Sequence, residues 1–185
     1  MQKYLITSPL FYTDTLAQFI KNLEHSLTLH QPSFALYRDK QNPEYKTLAS
    51  TFITLCLNMP HTKSFLHRDF TLAKSLNAVG VHLTSQQFDD IPKAKNLGLE
   101  VIISTHTHEE VKRAEELGAD YVTYSPIFHS PNKGEPKGVK DLRDLVKSTH
   151  INIFALGGIL NTSEVAMIKK TQAYGFASIR YFTQE

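Results

Sequence analysis

A single cysteine, Cys56, in 185 residues excludes an internal disulfide and a cysteine-built metal site. It stands in an apolar helical stretch and reads as a small buried hydrophobe. Long apolar runs are also missing: nothing approaches the roughly 20 residues of a membrane span. The opening MQKYLITSPLFYT lacks the apolar run of a signal peptide, so a cytoplasmic location without a membrane partner is expected. Charge of one sign is scarce. The formal charge is +2, acids and bases are interspersed, and no nucleic-acid-reading motif occurs, so no nucleic-acid partner is expected. Low-complexity segments and linkers are absent too, which points to one domain over residues 1–185. What is present is ordinary globular composition, 41% hydrophobic and 21% charged, on a chain long enough to bury one core.

Short apolar runs alternate with amphipathic stretches throughout. Strands are expected near Tyr4–Thr7, Phe34–Tyr37, Ser64–Leu66, Val79–Leu83, Val101–Thr105, Tyr121–Tyr124, Ile153–Leu156 and Gly175–Ile179. Between them Leu16, Phe19, Ile20, Leu23 and Leu27 share one helical face, as do Leu48, Phe52, Leu55 and Met59. Helix starts are marked by Asn42 before Pro43, Thr107 three before Glu110, and Asn161 three before Glu164. Gly98 and Gly118 fall at helix C-termini, and Glu109 with Arg113 makes an i,i+4 pair. The strands look buried on both faces, which suits a parallel sheet covered by helices. Eight of them in strict alternation indicate an α/β fold, a compact (β/α)8 TIM barrel. Such barrels usually need about 250 residues. Only Tyr181–Glu185 follow the eighth strand here, so the C-terminal helix is expected to be missing or truncated. The apolar flank this leaves would suit a homodimer.

In a parallel barrel the reactive residues come from the C-terminal strand ends. The turn Gly157-Gly158 after the seventh strand lets backbone N–H groups approach an anion, and a helix start favours negative charge. Arg180, ending the eighth strand, could clamp the same group. The competing reading makes the glycines a tight turn and Arg180 a surface residue. Arg38 and Lys40 share a face and could hold a second anion, or could be a solvated strand end. Ser104 and His106 also share a face, with His82 on the neighbouring strand. His106-x-His108 lacks the zincin pattern, and His108 should face outward, so no metal is expected there. The long loop from Ser125 to Gly138 reads as a lid or a mobile surface loop and carries Lys133.

Together these segments resemble the thiamine-phosphate synthase family, which includes the TenI-type thiazole tautomerases. LYRDK resembles the family's Q-x-R-x-K element and AVGVHL its A-D-G-V-H-L. STHTHEEVKRAEELGADYV closely resembles its fifth-strand block, SPIFHSPNK its G-P-[IV]-F-x-T-x-T-K, and ALGGI its phosphate turn. For the synthase, the resemblance implies joining a hydroxymethylpyrimidine diphosphate to a thiazole phosphate, the leaving diphosphate being held by Mg2+ and basic residues. Arg38 and Lys40 match the diphosphate-binding pair, with Leu36 replacing a glutamine. Leu66, His67 and Gln87 stand where the magnesium-binding asparagine and two aspartates belong, and neutral groups hold Mg2+ poorly. The thiazole-phosphate half is better kept, in Ser130, Lys133, Gly157 and Gly158. Asn132 there replaces a threonine, and Arg180 replaces a serine. The expectation preferred on these grounds is an isomerase, a metal-independent thiazole tautomerase with no cofactor. Ser104, His106 or His129 would handle the proton, because Pro126 occupies the place of the tautomerases' histidine. The alternatives are a divergent transferase, a thiamine-phosphate synthase recruiting Mg2+ through Asp69 or Asp89, and a non-catalytic binder of thiazole or thiamine phosphate.

Overall fold

The computed structural model describes residues 1–12, 15–39, 41–131 and 133–183. Eight strands form it: β1 Gln2–Ile6, β2 Phe34–Tyr37, β3 Lys63–His67, β4 Gly80–Leu83, β5 Glu100–Thr105, β6 Tyr121–Tyr124, β7 Asn152–Leu156 and β8 Gly175–Ser178. Each pairs in parallel with the next, and β8 returns to β1, so the sheet is the closed barrel expected. The helices are α1 Pro9–Tyr12, α2 Leu16–His30, α3 Tyr45–Leu57, α4 Phe70–Ser75, α5 Ile91–Asn96, α6 His108–Glu116, α7 Gly138–Ser148 and α8 Thr162–Lys169. None among the described residues is long and apolar enough to cross a membrane.

The two-residue strand period splits the core in two. Outward residues, such as Leu5, Leu66, Val81, Val101, Ile103, Val122 and Ala155, pack under the helices with Phe19, Leu23 and Phe52. Inward residues fill the barrel: Tyr4, Phe34, Phe65, Tyr121 and Phe154 interlock at ring-centroid separations of 5.0–6.2 Å. Gly80 and Gly175 leave room for that aromatic plug. A Cβ on Gly175 would lie 2.6 Å from Phe154 Cε1, and one on Gly80 would collide with Phe65 and the Glu100 carbonyl. The barrel is thus solid below and can open only at the strand C-termini.

Short-range signals place the helix ends. Thr107 Oγ1 accepts from Glu110 N, Asn161 and Glu164 form a capping box, and Gly98 and Gly118 have φ of +77° and +84°. Three expectations are corrected. Helix α3 starts at Tyr45, because Asn42 Oδ1 accepts from Glu44 N in a turn rather than capping the helix. Arg113 binds Asp89 (3.1 Å) and stacks over the Phe88 ring instead of pairing with Glu109. Leu16 is exposed, at the rim of a face otherwise buried by Phe19, Leu23 and Leu27. The described residues after β8 form a 3-10 turn, Arg180–Thr183, whose Phe182 is buried against Phe176 and covers part of the barrel flank.

Candidate active site

A cavity of about 510 Å³ opens at the strand C-termini. Among the proposed site residues it is lined by Arg38, His82, Ser104, His106, Ser130, Lys133, Gly157, Gly158 and Arg180, which chain order scatters over more than 140 positions. Among the described residues its lining contains no aspartate or glutamate, and its ionisable side chains there are Arg38, Lys133, Arg180 and the histidines 67, 82 and 106. Such a lining favours anions. His129 is exposed and outside the lining, because the backbone there turns to set its carbonyl against Gly158. Lys40 and Asn132 lie outside the described residues.

Around β2, Thr7 accepts from Arg38 N (2.9 Å) and donates its own N–H to the Leu36 carbonyl, fixing where β2 ends. Burial lowers the Arg38 pKa, so the guanidinium is partly stripped of water and gains from meeting an anion.

His82 is buried at the centre of the cavity floor. Its Nδ1 is 2.8 Å from Tyr4 OH and its Nε2 2.9 Å from Ser104 Oγ. Burial, then the nearby His67 and Arg38, pushes its pKa down to about 3, so the ring is neutral. A buried phenol must donate its proton to avoid the cost of an unmade hydrogen bond. The chain therefore runs from Tyr4 O–H to His82 Nδ1, and from Nε2–H to Ser104 Oγ. Ser104 accepts from behind and can turn its own O–H into the cavity. Tyr4 was not a sequence candidate; its inward place on β1, level with the other strands' inward residues, is the signal that identifies it.

His106 is held from two sides. Its backbone N–H donates to Glu110, whose N–H is capped by Thr107. Its Nδ1 is 3.1 Å from the Ser125 carbonyl, which can only accept, so Nδ1 carries the proton and Nε2 is the basic nitrogen. His108 faces outward to Asp141, as expected.

In the turn after β7, Gly157 and Gly158 have φ of +100° and +69°, which side-chain-bearing residues rarely adopt. Cβ atoms there would lie 2.8 Å from Pro126 Cα and 2.5 Å from the His129 carbonyl, so the glycines let two loops close on each other. The sixth-strand loop is tied in at its base, Ile127 N and Phe128 N donating to Leu156 and Gly157 carbonyls. The helix start contributes less than expected. Glu164 accepts from Leu160 N and Asn161 N, and Asn161 accepts from Ser163 N, so these amides are satisfied internally. Ser178, another residue the sequence did not single out, donates to the Ile159 carbonyl (2.8 Å) and accepts from Tyr181 N, joining this turn to the one bearing Arg180. Arg180 is exposed at the rim and lines the cavity.

The residues do not fit the Mg2+ that the family resemblance implies. Leu66 points away into the outer core, and His67 occupies the inward place. Gln87 spends its amide on Thr84, the Arg68 carbonyl and Asp90. Of the substitutes, Asp69 caps α4 by accepting from Leu72 N, and Asp89 faces outward to Arg113. Among the described residues no three His, Cys, Asp or Glu cluster as a metal would need.

Fold and site together define a (β/α)8 barrel with an anion-adapted mouth. The chain belongs to the thiamine monophosphate synthase family, whose model matches residues 3–182. It is 29% identical over 178 residues to a thiamine-phosphate synthase of Pediococcus pentosaceus, covering 91% of this chain and 82% of that protein. It is 37% identical over 114 residues to the enzyme of that name from Syntrophomonas wolfei, covering 58% and 54%. Against several further relatives the match spans only 46–65% of their length. A solved thiamine phosphate pyrophosphorylase from Pyrococcus furiosus superimposes with a TM-score of 0.83 at 26% identity, over 96% of this chain and 85% of that one. These relatives carry synthase names, so the transferase alternative is better supported than the preferred tautomerase.

Proposed function

We propose that the chain is a transferase of the thiamine-phosphate synthase type, joining a pyrimidine diphosphate to a thiazole phosphate. The observation that carries this reading is that one cavity is lined by two groups of residues suited to anions. Arg38 follows β2 and His67 ends β3, while Gly157, Gly158, Lys133 and Arg180 belong to the loops after β6, β7 and β8. A ligand with a single phosphate needs only one of them. In the reaction the thiazole nitrogen forms a bond to the pyrimidine methylene carbon. The bond from that carbon to the diphosphate oxygen breaks, and diphosphate leaves with the electron pair. Ser104, fixed as a donor by His82, is suited to hold a ring or a phosphate oxygen between the two groups. The test is to incubate the purified chain with hydroxymethylpyrimidine diphosphate and thiazole phosphate. Thiamine phosphate and diphosphate should form in equal amounts; no product above buffer overturns the reading.

The second reading is the metal-independent tautomerase, and His106 favours it: a cavity-lining imidazole whose basic Nε2 is selected by the Ser125 carbonyl can take and return a proton. Accelerated aromatisation of the dihydrothiazole carboxy-phosphate, lost in His106→Gln, would establish it in place of the transferase.

A further inference from the structure

We propose that the β2–β4 side of the cavity binds a diphosphate directly on Arg38 and Ser85, without a divalent ion held by protein carboxylates. This rests on the transferase reading for the identity of the anion, but its physical grounds are separate.

Mg2+ is a hard ion that keeps much of its hydration and is held in proteins through carboxylates together with phosphate oxygens. Among the described residues, the aspartates flanking this side are committed elsewhere. Asp39 is buried and accepts from Gln41 N, Asp69 caps α4, Asp89 pairs with Arg113, and Asp90 is held by Lys93 and Gln87. What faces the cavity instead is a half-buried guanidinium, an imidazole and a hydroxyl. A guanidinium presents its donors in a fork that matches two oxygens of one phosphate. Ser85 is half-exposed at the lip, where its hydroxyl can donate to a further oxygen. A site of this composition repels a bare cation and attracts a bare polyanion. Mg2+ in solution would then compete for diphosphate rather than deliver it.

The test is calorimetric titration of inorganic pyrophosphate into the full chain, with EDTA and with excess Mg2+. Binding is expected in EDTA, and excess Mg2+ should leave it unchanged or weaken it. Arg38→Ala should weaken binding in EDTA by about tenfold or more, the loss of one charge-assisted pair. Ser85→Asp, a change at the lip with little packing to disturb, should weaken binding in EDTA and recover part of it when Mg2+ is added. No binding in EDTA, tightening by about tenfold or more with Mg2+, or unchanged affinity in Arg38→Ala overturns the proposal. Metal-free binding without thiamine phosphate formation would instead count against the transferase reading alone. Turnover with pyrophosphate binding that requires Mg2+ would count against this proposal alone.

Discussion

At the scale of single residues, His82 carries a cost that the fold sustains elsewhere. Unfolded, its imidazole titrates near 6.5; folded, its pKa is near 3. Between those values the unfolded chain binds a proton that the folded chain refuses, so His82 contributes its full stabilisation above pH 6.5 and loses it as pH falls toward 3. One such proton gives a slope of up to about 1.4 kcal/mol per pH unit. Denaturant unfolding of the wild type should show stability falling through this window, and His82→Asn should show a shallower fall. Equal slopes would mean that the ring is hydrated and the Tyr4–His82–Ser104 chain is not closed. Tyr4→Phe probes the same chain from the other end. Without the phenol proton, His82 Nδ1 loses its donor and nothing selects the tautomer that holds Ser104. Product formation should fall by about tenfold, the scale of one misdirected hydrogen bond, with little loss of the fold because Phe fills the same plug. An unchanged rate would show that Ser104 orients itself.

Among the elements, what was legible in the sequence was whatever depends on a few neighbouring residues. All eight strands, the Thr107 and Asn161 caps and the Gly98 and Gly118 stops were readable because each rests on a short apolar run or a signal a few residues long. Side-chain partners from other elements were not. Arg113 prefers Asp89 and Phe88, which approach only once α6 packs beside the residues before α5. Local spacing likewise put His129 near the site, yet the two close-packed glycines turn it outward. The same glycines yield a prediction at this scale. Gly157→Ala must carry a Cβ at φ +100° and 2.8 Å from Pro126 Cα, so the two loops must separate. Thiazole-phosphate affinity should drop by about tenfold or more, while pyrophosphate binding on the Arg38 side stays near wild type. Equal losses at both groups would show that the cavity responds as one body.

On the scale of the whole molecule, two arrangements decide that the barrel is closed below and open above. The aromatic plug needs a glycine opposite Phe65 and another opposite Phe154. The second is the 3-10 turn after β8, which covers the flank beside α2. Phe182 is its anchor. The ring is 1% exposed and stacks on Phe176 at 5.7 Å, and its carbonyl accepts from Ser26 Oγ, which accepts from Tyr12 OH. One residue thus links α1, α2 and β8. It also fixes the turn that begins at Arg180, two residues before it, so fold stability and this rim of the cavity share a support. Phe182→Ala should cost about 3–5 kcal/mol by opening a cavity under α2. At temperatures where the variant remains folded, its affinity for thiazole phosphate should fall further than its affinity for pyrophosphate, because Arg180 loses its anchorage and Arg38 does not. Phe182→Leu, which keeps most of the volume, should restore much of both. A destabilised Phe182→Ala protein that binds thiazole phosphate as tightly as the wild type would show that Ser178 alone positions the arginine, through its bonds to the Ile159 carbonyl and Tyr181 N.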